Sequence, residues 1–437
     1  MALPIVFGLM VNGLYNIVDA IFVTRGVGPL AIGGVSVVFP LQMLIFSISG
    51  LIGAGAASII SRALGRKDIN KANRVAGNAL FSIIILAVVI SATGLYFLEP
   101  FLNLLGARSD VIFGYAYDYA LPIVSGAFII MFGGVLNELL RSEGKTKVMS
   151  MILLLSSVLN ILLDALFIFV LEMGVMGAAI ATILSQFVSL LIALYFFLSG
   201  KTAITLQYKL LKFDAESFKR IVALGIPTFI GNAGVSLSVG LANFLITQHA
   251  GINADVMISA YGVVSRVIIF AILPLIGMMI AFQTICGFNY GAQNYDRVLK
   301  VLNLSLWVTT IYTLSCALIM VFIPTPVIYL FTTDAVLVGE SVNIGRMIFF
   351  MYGTAGVGFI GGGLFQAIGK AKLAMFLSTS RVFMFLLPLL IILPPMFGTE
   401  GIWMAYPVAD FFAFAIALMF IRSERKKLIE LAQQTTV

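Results

Sequence analysis

The sequence predicts an all-α integral membrane protein with twelve transmembrane helices, in two six-helix bundles related by a parallel internal repeat. Three observations predict it. Apolar runs of about 20 or more residues, the length a bilayer requires, recur along the 437-residue chain. Lys and Arg collect in alternate loops between those runs. Four short motifs return in order at nearly one offset. Composition agrees: 61% of residues are hydrophobic and 10% charged, with mean hydropathy +1.10. A bilayer offers the backbone no water, so apolar spans of this length close their hydrogen bonds as helices.

The spans are expected at 4–25, 33–61, 76–98, 111–140, 148–171, 176–199, 222–248, 256–286, 299–323, 341–368, 373–395 and 401–421. The first begins almost at once, near Pro4, with no polar lead and no cleavable signal peptide. Several exceed bilayer thickness, so tilted or protruding helices are expected. Prolines 40, 122, 274 and 407 lie within spans as candidate hinges.

Orientation follows from charge. Of 26 Lys and Arg, twenty-one lie in the loops after spans 2, 4, 6, 8 and 10 and in the tail. The opposite loops hold only Arg25 and Arg108, and Arg266, Arg346 and Arg381 lie inside spans. The positive-inside rule therefore puts both termini in the cytoplasm. The same placement explains the net charge of +7 as a topology signal and removes nucleic acid as a partner. Cys286 and Cys316 form neither a metal spacing nor a disulfide framework, and His249 stands at a helix end as an interfacial side chain.

The repeat is read from four pairs. Asp19-Ala-Ile-Phe-Val-Thr24-Arg-Gly-Val-Gly28 lies over Ala242-Asn-Phe-Leu-Ile-Thr247-Gln-His-Ala-Gly251. Leu64-Gly65-Arg-Lys-Asp-Ile-Asn-Lys71 lies over Tyr290-Gly291-Ala-Gln-Asn-Tyr-Asp-Arg297. Arg141-Ser-Glu-Gly144-Lys-Thr-Lys147 lies over Gln366-Ala-Ile-Gly369-Lys-Ala-Lys372, and Gly177-Ala-Ala-Ile-Ala181 over Gly401-Ile-Trp-Met-Ala405. The offset stays between 223 and 226. Halves with an even number of spans share one orientation, the plan of a parallel-repeat transporter. The expected domains are an N-lobe at 1–200, a basic cytoplasmic linker at 201–221, a C-lobe at 222–422 and a cytoplasmic tail at 423–437.

The repeat also serves as an internal control. Asp19 aligns with Ala242, and Asp164 with Pro388, so both intramembrane acids are peculiar to the N-lobe. Asn12, Tyr15 and Asp19 share one face of span 1; Ser157, Asn160 and Asp164 share one of span 5; Thr182, Ser185, Gln186 and Ser189 share one of span 6. At 1.5 Å per residue, Asp19, Asp164 and Thr182 all lie about 9–12 Å inside the outer end. Two carboxylates, an amide oxygen and a hydroxyl form a hard-oxygen site. It suits Na⁺, with Asp19 and Asp164 as the metal carboxylates, or one proton shared between two acids. The competing reading is that Ser, Thr and Asn satisfy both acids, which then only hold helices together; intramembrane acids are by default functional.

Other buried polar groups suggest lesser roles. Glu138 and Arg141 read as a snorkelling pair, Asp118 with Tyr115, Tyr117 and Tyr119 as an interfacial belt, and Arg346 and Arg381 as snorkelling near span ends. Asp410, at mid-depth in span 12, reads as a C-lobe cavity acid or a partner of Arg266. Nineteen Met and 36 Phe suit an adaptable apolar cavity. Asn12, Tyr15, Asn137, Gln186 and Asp410 are the polar candidates for substrate contact.

The run Gly13-Leu-Tyr15-Asn16-Ile-Val-Asp19-Ala-Ile-Phe-Val resembles the multidrug and toxic compound extrusion (MATE) family, within a superfamily that includes oligosaccharide flippases. So do Leu159-Asn160-Ile-Leu-Leu-Asp164-Ala-Leu-Phe-Ile-Phe, Gly174-Val-Met-Gly177-Ala-Ala-Ile-Ala-Thr182 and Leu140-Arg141-Ser-Glu143-Gly144. Asn289-Tyr290-Gly291-Ala292 and Phe365-Gln366-Ala-Ile-Gly369 look like the same family's C-half signatures. The resemblance implies a V-shaped pair of bundles and cation-coupled export of organic cations or amphiphilic drugs across a bacterial inner membrane. It also implies that Asp19, Asn160, Asp164 and Thr182 hold the coupling ion, Na⁺ or H⁺. A branch of the family carries an acid on span 7; span 7 here has none.

The expected function is thus a monomeric secondary antiporter, not an enzyme, with no cofactor beyond its coupling ion. The chain contains no Walker A motif, so the ion gradient would supply the free energy. The alternative is a lipid-linked oligosaccharide flippase or polysaccharide exporter. That would need a cationic cavity, to which only Arg266 would contribute.

Overall fold

In the computed structural model, residues 2–28, 31–105, 110–251, 254–332 and 334–435 are described. Among them the fold is helical throughout, with no strand. Contacts divide the chain into two compact units, one of residues 3–229 and one of residues 230–437.

The first unit opens with α1 (Ala2–Gly26), α2 (Ala31–Gly65), α3 (Ile69–Tyr96) and the short α4 (Leu98–Leu104). Span 4, which holds the candidate hinge Pro122, is broken into two helices. It is α5 (Asp110–Ser125) and α6 (Ala127–Ser142), bent by 52° at Gly126. Pro122 lies four residues before the bend and has no N–H to donate, so the ladder there is already incomplete. Pro40, Pro274 and Pro407, by contrast, sit inside unbroken helices. α7 (Thr146–Ala165) ends in a π turn at Leu166–Val170, and α8 (Gly174–Leu198) completes the six spans.

The second unit holds most of α9 (Ala215–His249), then α10 (Ala254–Gly291), α11 (Tyr295–Phe322) and the short α12 (Pro324–Tyr329). Span 10 is again broken, into α13 (Ala335–Phe349) and α14 (Ala355–Ala367), bent by 42° around a 3-10 turn at Tyr352–Thr354. Span 11 runs from α15 (Ala371–Thr379) through a seven-residue π segment, Ser380–Leu386, to α16 (Leu387–Ile392) and α17 (Pro394–Phe397). The last span, α18 (Thr399–Thr435), continues unbroken through the expected tail. Glu424 is bonded there to Lys370 at 2.6 Å through both oxygens. Ala242, Ile246, Tyr261, Ile348, Trp403 and Ala409 belong to one apolar core of this unit.

Among the described residues eight helices are each long and apolar enough to cross a bilayer, and the two bent pairs make ten. α1 with 25 residues and α9 with 35 occupy the two remaining expected positions. The protein is therefore a multi-pass membrane protein.

The unit boundary falls inside α9 because the first turns of α9 press on α2. A Cβ on Gly55 would lie 2.0 Å from the Ile221 carbonyl oxygen, and one on Gly225 1.8 Å from that of Leu51. Backbones this close admit only glycine. The linker is likewise held on the first unit. Glu143 accepts N–H bonds from Ala203 (2.9 Å) and Ile204 (2.8 Å). Asn73 accepts from the Thr205 N–H at 3.0 Å, and the Asn78 amide donates to the Asp214 carbonyl at 2.8 Å. Burial pushes the Glu143 carboxyl up from its ordinary value, opposed by the two linker N–H bonds.

Backbone punctuation follows the sequence offset. Left-handed residues pair as Lys67 with Gln293, Gly144 with Gly369, Gly174 with Gly398 and Gly28 with Gly251, at offsets of 223–226. Asp68 and Asn294 cap α3 and α11 in the same way, bonding the N–H three residues on. These recurrences support the repeat.

Candidate functional site: a buried acid cluster in the first unit

Asp19 lies seven residues inside the Gly26 end of α1, Asp164 six residues inside Val170, and Thr182 eight residues inside Gly174. At 1.5 Å per residue these depths are about 9–12 Å, a single level. α1 meets α7 near its start and the following π turn near its end. A Cβ on Gly8 would touch Ser150 on one turn, and Phe22 packs edge-on to Phe169 of the π turn at 5.4 Å.

Asp19 is 8% exposed and Asp164 fully buried, and the two lie within electrostatic reach of each other. The Asn160 amide donates to Thr182 Oγ1 at 3.4 Å, a long contact joining α7 to α8. Ser156 Oγ donates to the Ser185 carbonyl at 3.1 Å, a second tie between these helices. Among the described residues four buried oxygens accept no hydrogen bond: Asp19 Oδ1, both carboxylate oxygens of Asp164, and Asn160 Oδ1. Buried oxygens of this kind are rare and costly. Among the described residues no Ser, Thr or Asn bonds Asp164, which counts against the reading in which they satisfy it. A cluster of hard, orphaned oxygens fits a small cation or a proton.

Two residues join the cluster that sequence reasoning placed elsewhere or passed over. Tyr119 of α5, expected in the interfacial belt, is 2% exposed and lies within reach of Asp19, Tyr15 and Asp164. Its hydroxyl lies beside the side chain of Gln42 of α2, itself buried. Asp118 is exposed and Tyr117 stacks on Phe113, as a belt requires. The signal for Tyr119 was its spacing with Ala116 and Ala120 on the buried face of α5.

The proposed substrate residues scatter. Tyr15 is buried at the acid cluster. The side chain of Asn12 lies outside the described residues. Gln186 is half-buried, whereas its face-mates Thr182, Ser185 and Ser189 are buried. Asn137 stands one turn from Arg141, towards the end of the unit that carries Lys145 and Lys147, remote in depth from Asp164. Arg141 bonds Glu138 at 2.8 Å through Nε, but it is 2% exposed, so it does not snorkel.

Asp410 belongs to the second unit and pairs with Arg381, not Arg266. Arg381 Nε donates to Asp410 Oδ1 at 2.5 Å, while Arg266 is exposed. The expectation that Arg381 snorkels near a span end is also corrected. It lies ten residues inside α15's start, at about 15 Å depth, because span 11 continues well beyond it. No group of three or more His, Cys, Asp or Glu is found among the described residues.

A multi-pass helical protein with an orphaned acid pair inside one six-span unit is in the class that moves ions or solutes across membranes. The MatE family model matches residues 4–166 and again 227–392, two stretches displaced by the offset of the sequence repeat. The chain belongs to the MATE family of transporters and is a transporter rather than an enzyme. The multidrug export protein MepA of Staphylococcus aureus (strain MRSA252) is 25% identical over 428 residues, covering 98% of this chain and 93% of that protein. The structure of the MATE multidrug transporter DinF-BH in complex with rhodamine 6G is 35% identical, with TM-score 0.89, over 97% of this chain and 94% of that one. An outward-facing multidrug resistance MATE family transporter of the MOP superfamily is 28% identical, with TM-score 0.91, over 98% and 95%.

Proposed function

We propose that the chain is a cation-coupled multidrug antiporter of a bacterial inner membrane, with both termini cytoplasmic. It exports organic cations or amphiphilic compounds by alternating access. The observation that supports this reading most is the buried acid pair, of which Asp19 Oδ1 and both oxygens of Asp164 have no partner among the described residues. The names of MepA and of the rhodamine-bound neighbour support the export of drug-like molecules. The Lys and Arg asymmetry supports the orientation.

Asp19 and Asp164 carry the coupling ion, Na⁺ or H⁺, and Asn160 and Thr182 complete the oxygen set. Loaded, the cluster is close to neutral; empty, it leaves charge in low dielectric. That difference biases the conformational equilibrium, and by linkage the exported compound and the ion weaken each other's binding. The π turn after Asp164 packs on the end of α1: a Cβ on Gly26 would lie 2.3 Å from Ile168. Loading of the pair is thereby transmitted to α1. Tyr119 positions the carboxylates as a neighbouring hydroxyl.

A flippase for an anionic pyrophosphate lipid would need an unpaired cationic surface. Arg381 is neutralised by Asp410, which favours the antiporter. Proteoliposomes with the Na⁺ and H⁺ gradients imposed separately test the reading. One gradient is expected to drive rhodamine 6G uphill; flux indifferent to both gradients would rule out coupling.

A further inference from the structure

The linker between the sixth and seventh spans is laid across the first unit at one level. A Cβ on Gly77 of α3 would lie 2.2 Å from the Leu210 carbonyl oxygen, and the Asp214 carbonyl accepts the Asn78 amide at 2.8 Å. Gly77 and Asn78 are neighbours, about 1.5 Å apart along the helix. Residues 210–214 therefore run across α3 rather than along it. Their level is the edge of the apolar layer. α3 is polar from Asn70 to Arg74 and enters its apolar run at Ala79. α2 gives the same level. Ile221 lies against Gly55, seven residues inside Arg62, and Asp214 lies seven residues before Ile221. Each interval is about 10 Å of helix, so Asp214 is level with Arg62.

At this level the segment exposes an aromatic ring among cations. Phe213 is 54% exposed and is propped by Phe218 in the first turn of α9, with ring centroids 5.4 Å apart. The backbone beneath it is fixed. The Leu210 N–H donates to the Gln207 carbonyl at 2.9 Å, and the Lys212 N–H to the Leu210 carbonyl at 2.8 Å. Lys209, Lys212 and Lys219 are exposed, and among the described residues no ion pair holds them. The two acids nearby are engaged elsewhere. Glu216 pairs with Arg220 at 2.5 Å, and Asp214 caps α9, accepting the Ser217 N–H at 3.1 Å and the Glu216 N–H at 3.3 Å. At the edge of the hydrocarbon a ring rests against acyl chains, while Lys reaches along its methylene stem to the headgroups. A soluble anion would neutralise the lysines and leave the ring in water. An anionic phospholipid covers both.

We propose that residues 209–219 form a docking site for anionic phospholipid. Phe213 enters the acyl region, and Lys209, Lys212 and Lys219 hold the headgroup phosphates. Lying at the edge of the apolar layer and not within it, the segment holds lipid without offering it a path across. The site belongs wholly to the first unit and stands independently of the export reading. Its face is cytoplasmic in the orientation proposed above, and nanodiscs, open on both sides, test it without that assumption.

Two measurements on the full chain test the site. In nanodiscs, adding phosphatidylglycerol to phosphatidylcholine is expected to slow trypsin cleavage after Lys209 and Lys212 about fivefold relative to cleavage after Lys427 in the tail. An unchanged ratio overturns the proposal. In detergent, native mass spectrometry counts the phosphatidylglycerol retained. The triple variant Lys209→Gln, Lys212→Gln, Lys219→Gln is expected to weaken retention about tenfold and Phe213→Ser about threefold. A tail triple with the same loss of charge, Arg425→Gln, Lys426→Gln, Lys427→Gln, should stay within about twofold of the native protein. Equal loss in the two triples, or none in the linker triple, overturns the proposal, since charge alone would then collect the lipid. Retention indifferent to Phe213→Ser, or lipid displaced by glycerol phosphate at equal concentration, identifies a soluble-anion site and overturns it too. The substituted side chains are all exposed, and Phe213→Ser leaves the charges intact, so the test does not hang on one variant's folding.

Discussion

Replacing Asp164 by Asn is expected to stabilise the protein while abolishing its response to the coupling ion. Asp164 is fully buried and neither of its oxygens has a partner among the described residues. Holding an ionised Asp in mid-membrane costs about 2.5–3.5 kcal/mol on insertion scales. Asn removes that cost and replaces a charge within electrostatic reach of Asp19 by a neutral amide. The net gain expected is about 2–3 kcal/mol under conditions in which the site is empty and ionised. At roughly 2–4 °C per kcal/mol for a unit of this size, the midpoint should rise by about 5–10 °C. The assay is thermal unfolding in detergent at about pH 9.5 without Na⁺, where the empty pair is ionised. Adding Na⁺ or lowering the pH should then stabilise the native protein, by about 2.7 kcal/mol at a hundredfold excess over Kd, and leave the variant unmoved. A variant less stable than the native protein, or one that still responds to the ion, would refute the reasoning that the acids are unsatisfied for the sake of a ligand.

Other perturbations follow from the same geometry. Gly225→Val places side-chain atoms where a Cβ alone would lie 1.8 Å from the Leu51 oxygen, and should cost about 3 kcal/mol or more, read as a lowered unfolding midpoint. Tyr119→Phe removes a buried hydroxyl beside Gln42 and the acid pair and should cost about 1 kcal/mol in stability and weaken the ion-dependent midpoint shift severalfold. Glu143→Ala frees the Ala203 and Ile204 N–H groups; it should cost about 1.5–3 kcal/mol and expose residues 201–214 to limited proteolysis.

Much of the site was legible in the sequence because helical periodicity and depth are one-dimensional. The i, i+3, i+7 face shared by Ser157, Asn160 and Asp164, and the level shared with Asp19 and Thr182, needed no tertiary information. Tyr119 was not legible, because an interfacial tyrosine and an interior one look alike until the facing helix is known. The depth of Arg381 was hidden for a related reason. The span ends set its depth, and the prolines at 388, 394 and 395 obscure the outer end of span 11. The breaks at Gly126 and Tyr352 were equally hidden. Only one of four mid-span prolines precedes a bend, and the second bend contains none, so the kinks follow packing as much as the missing N–H. The repeat, by contrast, was visible in motifs that include turn residues, and those turns carry the matching left-handed backbone.

The central claim is that Asp19 and Asp164 couple an ion to export. Its most direct measurement is uphill movement of rhodamine 6G in proteoliposomes bearing the effective gradient, comparing the native protein with Asp19→Asn and Asp164→Asn. Concentrative transport by the native protein and none by either variant, with both variants folded, is the result the acid cluster predicts. Gradient-driven accumulation persisting in both variants would contradict it.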